Sequence, residues 1–258
     1  TMFMVFSFIQ KKAIIQECNY LKTFLQFNML RPRIIPCLLI QNKGLVKTVK
    51  FKDPKYVGDP INAVRIFNEK EVDEIMVLEI DATSSNQEPD YKMIENLAAE
   101  CRMPLCYGGG IKNVEQAQRI FSLGVEKVAI SSAAINNPLL IKEISNRVGN
   151  QSMVIVLDVK KGSNNKYEIW TNNGTIYSGK EMVSFAKKVE DLGAGEIVIN
   201  SIDDDGVMKG YNIEMINQLR SEVHLPITVL GGAGKLEDIK QLINHFGIIG
   251  ASAGSLFV

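Results

Sequence analysis

Two glycine turns carry the clearest chemical signal in this sequence. Gly108-Gly109-Gly110 and Gly231-Gly232 each follow a short apolar run and precede an amphipathic stretch. Without a Cβ, the backbone of such a turn can approach a phosphate and aim its N–H groups at the oxygens. One apolar run later, each turn is followed by small residues with a hydroxyl, Ser131-Ser132 and Gly254-Ser255. A lone glycine turn marks any tight loop. The same turn twice, with hydroxyls at matching places, points to two phosphate sites and a ligand phosphorylated at both ends. Asp205-Gly206, in SIDDDGVMKGY (201–211), offers further N–H groups to the second site; the competing reading is a solvated acidic loop. Asp158 closes the run MVIVLD. A carboxylate there suits general acid or base work, against a structural role in capping the next turn. Lys47 follows the first apolar run and could fold over a phosphate, or simply be solvated.

Other chemistry has little material. Two histidines, His224 and His245, leave no basis for a multi-histidine metal site or a Ser-His-Asp triad. No motif suggests a metal or an organic cofactor. The four cysteines form no C-x-x-C pair, which fits reduced thiols in a cytoplasmic protein. The formal net charge of zero argues against nucleic acid or an anionic membrane as partner. The opening MFMVFSFI is too short to span a bilayer, and its lysines follow it rather than precede it. Ile14, Cys18, Leu21 and Leu25 share one helical face. Residues 1–28 are therefore read as an extension, one helix or a leader ahead of Met29, and 29–258 as the main domain.

The elements that must position these residues alternate. Apolar runs at 33–39, 75–80, 104–107, 126–130, 153–158, 195–200, 226–230 and 248–253 read as strands. Amphipathic stretches near 60–70, 89–101, 114–123, 138–148, 180–192, 212–222 and 235–245 read as helices, two of them announced by Asp59-Pro60 and Asn137-Pro138. Eight strands alternating with helices predict an α/β (β/α)8 TIM barrel, with a doubly wound open sheet as the alternative. The chain also repeats itself. YGGGIKNVEQAQRIFSLGVEKVAISSA (107–133) parallels LGGAGKLEDIKQLINHFGIIGASAGSL (230–256) at a constant offset of 123 residues. Two duplicated half-barrels explain this. The sequence stops soon after the eighth strand, so the last helix is missing; the stretch 13–26 is a candidate for its slot.

The motifs RIIPCL, GDP, VDE, YGGGI, ISSAA, NPLLI, DVK, GAGEI, SIDDDG..KGY and LGGAGK resemble the cyclase subunit of imidazole glycerol phosphate synthase, from Arg31 to Phe257. The resemblance implies a lyase of histidine biosynthesis. Such an enzyme takes ammonia from a glutaminase subunit, its partner in a heterodimer. It acts on a bis-phosphorylated ribulosyl-formimino aminoimidazole carboxamide ribotide. Carried over residue by residue, it implies phosphate contacts at Gly110, Ser131 and Ser132, and at Asp205, Gly206, Gly232, Gly254 and Ser255. It implies a catalytic role for Asp158 and an ammonia gate of Arg33, Glu74, Lys127 and Glu196 at the barrel floor. There are departures. Leu39 stands where a first catalytic aspartate is usual, Gln41 where a lysine is, Asn42-Lys43 where Asp-Gly is, Glu79 for an aspartate, and Ser131 for an asparagine. Leucine cannot take a proton. The sequence thus supports a cyclase of this type or, as the alternative, a paralogue that delivers glutamine-derived ammonia to a surface-sugar amidation.

Overall fold

A computed structural model describes residues 31–257. The extension expected at 1–28 lies outside the described residues. In chain order, β1 (Arg33–Gln41) enters a hairpin of β2 (Gly44–Val49) and β3 (Lys52–Gly58), followed by α1 (Pro60–Glu69). Then come β4 (Ile75–Glu79), α2 (Tyr91–Glu100), β5 (Leu105–Gly108), α3 (Val114–Ser122) and β6 (Lys127–Ile130). Two helices, α4 (Ser132–Asn136) and α5 (Leu139–Val148), lead to β7 (Met153–Lys161). Here the plan repeats, with a hairpin of β8 (Tyr167–Thr171) and β9 (Ile176–Glu181) before α6 (Met182–Asp191). β10 (Glu196–Ser201), α7 (Ile213–Arg220), β11 (Ile227–Leu230), α8 (Leu236–Phe246) and β12 (Gly250–Ala253) complete the described strands and α-helices.

Parallel pairing runs β1–β4–β5–β6–β7–β10–β11–β12 and returns from β12 to β1, with Arg33 opposite Gly250. The sheet is closed, so this is a (β/α)8 TIM barrel and the open-sheet alternative is excluded. Local chemistry sets the helix starts. Asp59 caps α1 by accepting from Asn62 N at 2.9 Å with Pro60 behind it, and Asp90, Asn113 and Asn212 cap α2, α3 and α7 in the same way.

Strand alternation divides the core in two. One set of positions packs against the helices; Ile34, Leu38 and Ile40 represent it on β1. The other set faces the lumen and includes Ile35, Cys37, Met76, Cys106, Val154, Val156 and Val198, with Leu39 and Leu78 packed against it. The lumen is therefore filled and apolar, as inward residues of such barrels are. At its floor and at its mouth this second set turns polar.

Candidate active site: a mouth and a floor

Every residue singled out at the rim lines one open cavity at the C-terminal ends of the strands. Lys47, Gly110, Ser131, Ser132 and Asp158 come together there with Asp205, Gly206, Gly232, Gly254 and Ser255. Both glycine turns thus open onto the same space, which the sequence repeat required.

Asp158 lines this cavity, as do Glu79 and Asp205. Register sets Asp158 beside Asn200 on β10, whose Nδ2 donates to Oδ1 at 2.9 Å. Ser131 Oγ approaches Oδ2 at 3.4 Å. Burial, reinforced by the nearby Asp205 charge, pushes the Asp158 carboxyl up to about 6, although the Asn200 and Ser131 donors pull the other way. The opposite wall is apolar. Leu39 is in register with Leu78, and both line the cavity with Leu230. No carboxylate faces Asp158 from position 39. Of the nearest substitutes, Glu79 lines the same cavity and Asp81 does not. Asp81 accepts from Gln41 Nε2 at 2.6 Å. Glu79 pairs in register with Ile40, an outer-core residue, so its side chain starts toward the helix layer; burial first, then Asp81 and Asp90, raise its carboxyl to about 7.

The turns are glycine for reasons visible without a ligand. A Cβ on Gly109, at φ 125°, would sit 2.6 Å from the Glu79 carbonyl oxygen. A Cβ on Gly232, at φ 108°, would overlap the Gly210 carbonyl oxygen. Close backbone packing by itself demands glycine at both positions. The Asp205 carboxylate is committed to the protein. It accepts from Thr48 Oγ1 at 2.8 Å and Phe51 N at 2.9 Å, and so clamps the β2–β3 turn over the mouth.

At the other end of the lumen four charges close a ring. Arg33 meets Glu74 at 2.7 Å and Glu196 at 2.6 Å; Lys127 meets Glu74 at 2.8 Å and Glu196 at 2.9 Å. Thr228 Oγ1 adds a 2.5 Å bond to Glu196. Burial opposes the Glu196 charge, yet Arg33, Lys127 and Thr228 prevail and hold its carboxyl below the ordinary value. The four residues named from the sequence thus come together, each cation touching both carboxylates.

A family model described as "Histidine biosynthesis protein" matches residues 33–258. The chain belongs to that family. Among relatives, "Putative imidazole glycerol phosphate synthase subunit HisF" of Leptospira borgpetersenii is 58% identical over 89% of this chain and 91% of its own. "Putative imidazole glycerol phosphate synthase subunit hisF3" of Vibrio vulnificus is 56% identical over 90% of each chain. "Imidazole glycerol phosphate synthase subunit HisF" of Lactococcus lactis is 39% identical over 89% of each.

This histidine biosynthesis family member holds site residues that sequence reasoning missed. Asn200, Thr48, Phe51, Asn172 and Asn173 all line the mouth. Asn172-Asn173-Gly174 was a legible turn signal; Asn200, inside an apolar run, gave none. Among the described residues no group of three or more His, Cys, Asp or Glu could hold a metal, and no helix is long and apolar enough to cross a membrane.

Proposed function

We propose that this chain is an ammonia-using lyase subunit of the imidazole glycerol phosphate synthase type, paired with a glutaminase at its floor. Ammonia would pass the Arg33–Glu74–Lys127–Glu196 ring and the apolar lumen. It would meet a bis-phosphorylated ribulosyl ribotide held across the mouth. One observation carries the reading: both glycine turns and Asp158 line a single cavity above a lumen whose floor carries the four-charge ring. A ligand with a phosphate at each end can engage the Gly110–Ser131–Ser132 side and the Gly232–Gly254–Ser255 side together. Asp158, with its carboxyl near 6, is poised to move protons at neutral pH. The apolar lumen favours neutral ammonia over ammonium, because a bare charge is costly to bury.

The leucine wall favours a second reading. With Leu39 and Leu78 lining the mouth, no acid stands at position 39, where the resemblance places the partner of an acid–base pair. A paralogue that hands ammonia on for amidation of a surface sugar needs the floor and the lumen but not the pair. The test supplies ammonium salt and the ribulosyl ribotide to the chain and follows loss of absorbance. Turnover supports the first reading. No turnover in the native chain, with ~10²-fold or greater gain in Leu39→Asp, supports the second. No turnover in either, with no phosphate ligand bound, defeats the first; a floor that also binds no glutaminase defeats the second.

A further inference from the structure

Asn200 holds Asp158 in a way that no other side chain does. It is 6% exposed and stands in register with Asp158 across the β7–β10 pair. Its Nδ2 donates to Asp158 Oδ1 at 2.9 Å. Its own Oδ1 is buried with no hydrogen-bond partner. An asparagine that merely ties two strands would satisfy both ends of its amide, since a buried acceptor left bare is costly. Here the amide is turned so that its N–H meets the carboxylate while its carbonyl goes without. The other flank of Asp158 is held weakly, by Ser131 Oγ at 3.4 Å. The remaining groups that bear on the carboxyl are burial itself and the Asp205 charge from the loop after β10, both of which oppose ionisation; across the lumen the Cys37 thiol feels Asp158 in turn. Among the described residues no cation contributes to the shift of Asp158.

We propose that Asn200 is the positioning residue of Asp158: its N–H fixes Oδ1 and favours the charged form, leaving Oδ2, beside Ser131, as the oxygen that takes and returns a proton. The amide acts only through Asp158. It sets the orientation of the acid and the pH at which it ionises. Ser131 stands where a longer side chain would reach Oδ2, so an amide placed there should stand in for the one at 200.

The inference rests on the reading of Asp158 as the group that moves protons, and its test needs no turnover. The full chain is labelled at the aspartate Cγ, and the Asp158 resonance is titrated by carbon NMR. Asn200→Leu removes the donor at similar volume and should tighten proton binding to Asp158 about tenfold. Ser131→Asn in the same background should bring the midpoint most of the way back. Asn200→Thr keeps a small donor, should give an intermediate midpoint, and serves if the leucine variant does not fold. A midpoint unchanged in the folded Asn200 variants overturns the proposal. So does a shift that Ser131→Asn leaves untouched, which would mark a packing effect. A chain that titrates as expected yet turns over no ribotide strikes the reading of Asp158 and leaves the positioning intact.

Discussion

A carboxyl whose pKa is raised by folding costs stability once it ionises, and Asp158 is one instance. Burial is the main cause of its rise from 3.8 to about 6. The folded state then binds the proton more tightly than the unfolded chain, so stability falls as pH rises from about 4 through 6 and stays lower above. Asp158→Asn removes the charge and keeps an acceptor for Asn200. Since Asp158 is partly exposed to an open cavity, the full linkage value is discounted and we expect a gain of about 1–2 kcal/mol at pH 8. The gain should shrink toward zero near pH 4. Urea unfolding at the two pH values reads the difference; equal stability of the two proteins at pH 8 would contradict the raised carboxyl. The same acid should shape activity. A base with its midpoint near 6 loses half its charged form there, so kcat/KM of the native chain should fall as pH drops through about 6. A profile flat from pH 5 to 8 would remove Asp158 from proton transfer.

At the level of elements, the mouth is shaped by two hairpins that extend β1 and β7 in corresponding places. Their tips meet: a Cβ on Gly174 would lie 3.3 Å from the Phe51 ring and 3.2 Å from Ile202. The first tip is locked to the loop after β10 by Asp205 and by the contact between Gly206 and Thr48. Gly206→Ala would drive a Cβ into the Thr48 carbonyl oxygen, at φ 66°. Gly179→Ala meets open space at a similar φ of 73°. Both carry the backbone strain of roughly 1–2 kcal/mol, so their difference isolates the clash. We expect Gly206→Ala to lose at least about 2 kcal/mol more in urea unfolding; similar losses would mean the hairpin simply moves aside. The hairpins also mark where the sequence stopped being legible. Runs such as MVIVLD and helix starts such as Asp59-Pro60 have one physical reading, and the barrel elements fall within a few residues of where that reading put them. The β2–β3 turn has no such mark. Lys50 and Phe51 both take positive φ, 53° and 61°, without a glycine, held there by Asp205 from a distant loop. Tertiary contact, not local preference, makes that turn, and the same holds for the clamp role of Asp205 itself. Asn200 was hidden for a related reason: its partner lies 42 residues away on the neighbouring strand.

On the scale of the molecule, the floor ring joins the two half-barrels, β1 to β6 and β7 to β12. Arg33, Glu74 and Lys127 come from the first, Glu196 and its partner Thr228 from the second. The two carboxylates are almost wholly buried, with side chains 4% and 5% exposed, and they share both cations. Such a ring is balanced only when complete, because each buried charge has already lost its water. Arg33→Met keeps the length and apolar stem of the side chain but leaves two carboxylates to one lysine. Breaking a buried pair in this way typically costs about 3–5 kcal/mol, and we expect a loss of about 3 kcal/mol at pH 7. The sign of its pH dependence follows from Glu196, whose carboxyl the ring holds below the ordinary 4.5. That contribution is present above 4.5 and lost as pH falls through the lower folded value, so the penalty of Arg33→Met should shrink in acid. Arg33→Lys, which retains the charge but not the two-pronged geometry, should fall between. Guanidinium is itself an ion, so urea unfolding at pH 7 and pH 4 is the suitable measurement. A penalty independent of pH would mean that Arg33 serves as packing, and that the floor is held by the strands rather than by its charges.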